Sequence, residues 1–329
     1  MRKGEGRGNV EYGILNMKKN IYIGIGILIL LGGGFWWSTR TEEPLDTRIP
    51  VSATFYPVAF LAEQIGGDLA VVKTIVPPGT EPHDFDPPIR DIADIYRSKL
   101  FLVSGAGVDR WVEKLRGEFV RKGVSVITLS DSVDLIAATE DEEGEAVPIG
   151  TLDPHFWLDP VEYGKAATVV FQAFTAIDPA HAPVYRANFD RLMRSLDAID
   201  TNMQALSDVS CRQQTVVVSH NAFSYLSHRY GFQLRSLAGI DPAEEVSAGT
   251  LSDTIRFMRE KNIKYVLGEP LGSSEIADTV GREVPAEVLT LNPLEGLLPS
   301  ERSAGKNYLS VMRENWITLR KALECGEGK

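Results

Sequence analysis

Residues 51–76, "VSATFYPVAFLAEQIGGDLAVVKTIV", contain a strand, a helix and a second strand in direct succession. The two outer segments are short apolar runs, and the middle segment has apolar residues at helical spacing and ends near Gly66. When a helix connects two strands in this way, the strands lie parallel and the helix packs on a face of their sheet. This stretch therefore predicts an α/β fold.

The same alternation continues on both sides of a purely helical section. Helix and strand patterns follow each other over residues 88–130 and again over 215–291, whereas 161–207 contain only helical patterns. We predict two parallel-sheet α/β lobes joined by a long rigid helix. The predicted parts are 1–46 (cytoplasmic tail, membrane anchor or signal segment, and linker), 47–160 (N-terminal lobe), 161–208 (linking helices) and 209–329 (C-terminal lobe).

Composition supports a globular protein with an acidic body. The chain has 329 residues, 43% hydrophobic and 24% charged, which is enough for two domains with their own cores. Its formal net charge is −11, although residues 1–46 carry six basic and five acidic side chains. An acidic body repels nucleic acid and tolerates cations. We therefore expect no nucleic-acid partner.

The N-terminal region indicates export. An unbroken apolar run covers residues 21–37 and follows Lys18 and Lys19. This run is just long enough to span a bilayer as a helix, and the lysines predict that its N-terminal end stays in the cytoplasm. Without a small-x-small cleavage site or a nearby cysteine, we favour an uncleaved anchor over a cleaved signal peptide and expect no lipid modification. The body is then expected at the extracytoplasmic face of the membrane.

The two cysteines, Cys211 and Cys325, can form a disulfide in an oxidising compartment. Such a bridge would tie the C-terminal helix to the strand that begins near Thr215. Two buried free thiols are the alternative.

Three of the five histidines lie just beyond predicted strands. His83 lies in "GTEPHDFDPP" (79–88), His155 in "TLDPHFWLDP" (151–160), and His220 ends "TVVVSH". Ligand sites of open α/β sheets form at the carboxyl ends of strands, and the flanking prolines reduce the entropy lost when a ligand loop becomes ordered. Three imidazoles and one oxygen would suit Zn²⁺. The other two histidines, His181 and His228, lie on helical patterns and are interpreted as surface or packing residues.

Carboxylates near the three histidines could accept a hydrogen bond from the second ring nitrogen and so set the tautomer. The candidates are Asp84, Asp86, Asp153 and Asp159.

The chain resembles the cluster A-I solute-binding proteins, the zinc and manganese receptors of ABC importers. The resemblance rests on "VPPGTEPHDFDPPIRDIADIYRSKLFLVSGAGVDRWVEKL", "DPHFWLDP", "VVVSHNAFSYLSHRYGFQ", "GIDPAEEVSAGTL" and "IKYVLGEPLGSSEIADTVGRE". It implies one metal ion held in the cleft between the lobes by His83, His155 and His220. Histidine at the third position resembles the zinc-preferring branch, so Zn²⁺ is expected ahead of Mn²⁺.

The fourth ligand is where the chain departs from the family. The family's aspartate in "L-D-P-L" corresponds to Asn292 in "TLNPLEG". We place Asn292 at the fourth position, with Glu269, Glu81 and Glu295 as alternatives.

The resemblance implies a monomeric, non-enzymatic receptor that captures Zn²⁺ for a permease and its ATPase. Two alternatives remain at this stage. Three histidines with an open coordination position also suit a zinc-dependent hydrolase. An anchored, adhesin-like structural protein is the other.

Overall fold

The computed structural model describes residues 46–138, 151–208, 210–243, 245–271 and 274–326. The predicted anchor, 21–37, and the acidic segment 140–145 lie outside these residues. Within the described part of the chain, no helix is both long and apolar enough to cross a membrane.

The N-terminal lobe is built on a four-stranded parallel sheet in the order β2–β1–β3–β4. Its strands are β1 Ile49–Ala53, β2 Ala70–Thr74, β3 Leu100–Val103 and β4 Ser125–Thr128, and its helices are α1 Tyr56–Gly66, α2 Ile89–Ile95 and α3 Trp111–Arg121. Val51 at the centre pairs with Val72 on one side and Leu100 on the other. The strand order reverses beside β1, which is where open α/β sheets form ligand crevices.

The C-terminal lobe repeats this design with the order β6–β5–β7–β8. Its strands are β5 Thr215–His220, β6 Gln233–Ala238, β7 Tyr265–Gly268 and β8 Glu287–Thr290. Its helices are α6 Ser224–Tyr230, α7 Ala248–Lys261, α8 Ser274–Glu283, α9 Pro299–Ser303 and α10 Tyr308–Ala322. All three strand pairs are parallel.

Two helices lie between the lobes in the sequence, α4 Pro160–Ile177 and α5 Ala182–Asp208. Helix α4 begins sharply because Asp159 accepts hydrogen bonds from the N–H groups of Val161 and Glu162, and Pro160 occupies the first turn. Helix α5 has 27 residues and is therefore about 40 Å long. The predicted fold class, two parallel-sheet α/β lobes with a long helix between them, is confirmed.

One hydrophobic core runs through both lobes. Tyr308 at the start of α10 stacks on Tyr163 of α4 at 4.3 Å between ring centroids and on Phe60 of α1 at 5.5 Å. Separate apolar clusters cover the outer face of each sheet. Because buried interiors are close-packed, a shared core of this kind resists large hinge motion between the lobes.

The structure adds one strand that the sequence patterns did not predict. Strand β6 lies at an edge of its sheet, and the polar residues Gln233, Arg235 and Ser236 obscure its apolar alternation. The C-terminal helix, α10, begins at Tyr308, after the short helix α9.

The predicted disulfide between Cys211 and Cys325 is present. It joins the residues before β5 to the end of α10, across a sequence separation of 114. Residues 211 and 325 also form an isolated antiparallel bridge.

Candidate metal centre

The three predicted histidines converge on one carboxylate oxygen. The Nε2 atoms of His83, His155 and His220 lie 3.5, 3.2 and 3.5 Å from Oε1 of Glu295. The ring centroid of His155 is 5.4 Å from that of His83 and 5.6 Å from that of His220. Three ring nitrogens and one carboxylate oxygen therefore face a common point.

Three of these side chains, those of His83, His220 and Glu295, lie at or beyond the carboxyl end of a strand, whereas His155 lies late in the segment between β4 and α4. His220 is the last residue of β5, and His83 lies in the proline-rich loop after β2. His155 precedes the 3-10 turn Phe156–Leu158, and Glu295 lies in the segment between β8 and α9. In a parallel sheet the carboxyl ends of all strands lie on the same side, so each of the two sheets presents side chains to the centre from its own lobe.

The converging atoms are withdrawn from water. The side chains of His155 and His220 are 0% exposed, that of Glu295 is 1% exposed and that of His83 is 6% exposed. Within the described part of the chain, Nε2 of His83, Nε2 of His220 and Oε2 of Glu295 are buried without a hydrogen-bond partner. Buried polar atoms need a partner, and a set of three nitrogens with one carboxylate suits a four-coordinate Zn²⁺.

Two of the histidines are oriented by buried carboxylates. Oδ1 of Asp153 lies 2.9 Å from Nδ1 of His155 and also accepts the His155 backbone N–H. Oε1 of Glu269 lies 2.6 Å from Nδ1 of His220 and also accepts a hydrogen bond from the hydroxyl of Ser219. A carboxylate at Nδ1 keeps the proton there and leaves Nε2 free to bind a cation.

The electrostatics favour cations at this centre. Burial by itself lowers the pKa of His155, but Asp153 and Glu295 outweigh it and raise that pKa to about 9. Burial also opposes protonation of His220, yet Glu269 and Glu295 raise its pKa well above the usual value. Burial would raise the pKa of Glu295, whereas the hydrogen bond from His155 and the nearby imidazoles of His220 and His83 hold it well below its usual value. Without metal the centre therefore holds protons.

The side chain of Asn292, the residue expected at the fourth position, makes a hydrogen bond within its own turn. Its Oδ1 accepts the backbone N–H of Leu294 at 2.8 Å, so the amide oxygen is used within the turn. The oxygen that faces the histidines belongs to Glu295, three residues later. The family motif drew attention to position 292, and only the charge of Glu295 marked it in the sequence as an alternative.

The other two candidates for the fourth position contact two of the histidines through groups other than Nε2. Ligand atoms of His220, Glu269 and Glu295 lie within 4.8 Å of one another. Glu269 contacts the far nitrogen of His220, as described above. Glu81 accepts the backbone N–H of His83 at 3.2 Å. Burial, followed by the charge of Glu295, raises the pKa of Glu81 to about 8.

Of the four aspartates considered as histidine partners, Asp153 contacts a histidine. Asp84 and Asp86 are exposed, and Asp159 caps α4 and pairs with Arg229. His181 is half-exposed and pairs with Asp178, and His228 is exposed on α6. Neither of these two histidines belongs to the groups of converging side chains among the described residues.

Residues 51–322 match the profile of the ZnuA family, described as zinc-uptake complex component A, periplasmic. The chain belongs to this family. The match covers both lobes and every side chain of the candidate metal centre.

Individual relatives agree with this assignment. The chain is 30% identical over 296 residues to the zinc-binding lipoprotein AdcA of Streptococcus pneumoniae, covering 88% of this chain and 59% of that protein. It is 29% identical over 294 residues to the high-affinity zinc uptake system protein ZnuA of Bacillus subtilis, covering 87% and 92%. The chain thus spans less than two thirds of the pneumococcal protein and most of the Bacillus one.

A solved relative has the same fold. The crystal structure of the Zn(II)-bound ZnuA-like domain of Streptococcus pneumoniae AdcA superposes with a TM-score of 0.73 at 28% identity. The superposition covers 84% of this chain and 99% of that domain.

Proposed function

We propose that this protein is an extracytoplasmic receptor that binds Zn²⁺ through His83, His155, His220 and Glu295 and delivers it to an ABC-type importer. The observation that carries the proposal is the approach of three buried Nε2 atoms to within 3.5 Å of one carboxylate oxygen. Zn²⁺ is the cargo, because imidazole nitrogens with one carboxylate suit this ion better than Mn²⁺.

The fourth ligand is proposed to be Glu295, not Asn292. A carboxylate brings a negative charge to the cation, and the centre would then hold Zn²⁺ with three neutral histidines and one anion. Asn292 brings no charge, and its amide oxygen already accepts a hydrogen bond from the Leu294 N–H.

The partners of the receptor follow from the family. Its description as a zinc-uptake complex component supports a permease and a cytoplasmic ATPase as partners. We further propose that the body acts as a monomer and that residues 21–37 anchor it to the membrane. Membrane fractionation of cells that make the full chain tests the anchor, since a shortened soluble form would show cleavage after the apolar run.

The hydrolase alternative depends on an open coordination position beside three histidines. The proposed ligand Glu295 would fill that position, and the ligand side chains are almost fully buried. A substrate would have no place at the metal. The geometry therefore favours a receptor over an enzyme.

The test is direct measurement of metal binding. The purified protein should contain about one Zn²⁺ by elemental analysis and compete with a chromophoric chelator for zinc. Zinc at 100 times its Kd should also stabilise the fold by about 2.7 kcal/mol. An adhesin-like protein with a vestigial site would show neither competition nor stabilisation, and that result would end the proposal.

A further inference from the structure

The turn that carries Glu295 has an unusual backbone. We define the Glu295 turn as residues 292–295. Leu294 within it has φ of +61°, a left-handed conformation that is uncommon for residues with a Cβ atom. Such a conformation persists only where the surroundings hold it, and it is often found where a functional side chain must be aimed.

Asn315 holds the start of the turn from helix α10. Its Nδ2 donates to the carbonyl oxygen of Asn292 at 2.7 Å, and its Oδ1 accepts the Asn292 backbone N–H at 2.9 Å. Asn315 is 1% exposed, so both bonds form away from water. The side chain of Asn315 thus hydrogen-bonds both the N–H and the carbonyl of Asn292. The side chain of Asn292 in turn accepts the backbone N–H of Leu294.

Trp157 holds the next residue from the opposite lobe. Its indole Nε1 donates to the carbonyl oxygen of Pro293 at 2.8 Å. Its ring also lies 5.1 Å from that of His155, centroid to centroid. Tyr308, on the same helix as Asn315, donates to the carbonyl oxygen of Trp157 at 2.6 Å. Helix α10 is therefore connected to both the His155 segment and the Glu295 turn.

We propose that Asn315 is a positioning residue for zinc binding, which sets the distance between Glu295 and the histidines by clamping Asn292. This inference rests on the proposed function. Asn315 does not contact the ligand atoms, and it acts through the turn. A glutamate carboxylate on an unclamped turn would reach the cation only part of the time.

Asn315→Ala removes both bonds to Asn292 and should weaken zinc binding by about 10- to 100-fold, the usual effect of losing a group that orients a ligand. Asn315→Asp retains the volume and the acceptor but replaces the donor with an oxygen facing the Asn292 carbonyl, and should weaken it likewise. The matched control is Leu319→Ala, one turn further along α10 and fully buried in the apolar core. It should lower the melting temperature and leave zinc affinity at the wild-type value.

Two further measurements separate positioning from general stability. In a Glu295→Ala background, Asn315→Ala should have no additional effect on zinc affinity, because the residue it positions is gone. The visible absorption of the Co²⁺-loaded Asn315→Ala protein should change in the same direction as that of Glu295→Gln.

The outcomes distinguish this inference from the proposed function. A wild-type protein that fails to bind zinc overturns the proposed function. A wild type that binds zinc, together with a Glu295→Ala variant that binds weakly and an Asn315→Ala variant that binds normally, overturns only the role of Asn315. An equal loss from Asn315→Ala with and without Glu295 overturns it as well.

Discussion

His155 and His220 differ from His83 in how the protein holds them. The first two are fully buried, and each has a carboxylate at Nδ1. His83 lies in a proline-rich surface loop, and among the described residues no carboxylate accepts a hydrogen bond from its Nδ1. Its backbone, not its ring, is held by Glu81.

This difference separates two ways of preparing a metal ligand. A buried carboxylate fixes the tautomer and the ring direction, but it costs stability if its histidine is removed. A stiff loop limits the backbone and leaves the His83 ring without a carboxylate that fixes its tautomer. The rings of His155 and His220 are thus oriented before any cation binds, and His83 is the most exposed of the three histidines, at 6% of its side chain.

The largest effect on zinc binding and stability is expected from removing one of the two histidines that a carboxylate holds, His155 or His220. His155→Ala or His220→Ala should abolish tight zinc binding and also destabilise the metal-free protein by about 3–5 kcal/mol, because Asp153 or Glu269 is left as a buried unpaired charge. Chelator competition and denaturant unfolding measure the two effects. Wild-type stability in both variants would show that the carboxylates do not depend on their histidines.

His83→Ala should separate affinity from stability. We expect loss of tight zinc binding but a change in metal-free unfolding free energy of only about 1 kcal/mol, since no buried carboxylate loses its main partner. The same two measurements apply. A destabilisation as large as that of His155→Ala would contradict the distinction drawn here.

Neutralising Asp153 or Glu269 while keeping all three histidines should have a smaller effect on zinc binding. Asp153→Asn and Glu269→Gln should each weaken zinc binding by about 10- to 100-fold, because the ring is no longer held in the binding tautomer. The matched control is Asp84→Asn on the exposed His83 loop, which should bind zinc as the wild type does. Equal zinc affinities in all three variants would show that Asp153 and Glu269 do not contribute to zinc binding.

The smallest effect is a proton release that depends on pH. The pKa of His155 is raised to about 9 in the metal-free fold, so zinc binding at pH 7.5 must displace protons. Calorimetry in buffers of different ionisation enthalpy should detect this release, and Asp153→Asn should reduce it. Binding enthalpies that do not vary with the buffer would mean that the ring is already neutral.

The raised pKa of His155 also determines how the stability of the metal-free protein changes with pH. The contribution of the His155 pair to metal-free stability is complete below pH 6.5 and is lost as the pH rises through about 9. Unfolding of the metal-free protein should therefore become easier over this range. Asp153→Asn should flatten the dependence.

Much of the fold and part of the site could be predicted from local pattern. The alternation of strands and helices determined both lobes, and strand exits located His83 and His220, because the carboxyl ends of parallel strands are a property of local order. His155 lies well beyond the end of β4, and its place beside the other two histidines depends on tertiary packing. The sequence pattern did not predict strand β6, because an edge strand with Gln233 and Arg235 lacks a clear apolar period.

Tertiary structure alone decided the fourth group at the centre. Position 292 matched the family motif, but the turn uses the Asn292 amide for itself and aims Glu295 at the histidines. The conformation of this turn depends on hydrogen bonds from Asn315 in α10 and from Trp157 in the other lobe. The Asn315 contact spans 23 positions of the chain and the Trp157 contact spans 136. Contacts at such separations leave no periodic signal, so the packing of the lobes determines which carboxylate faces the histidines.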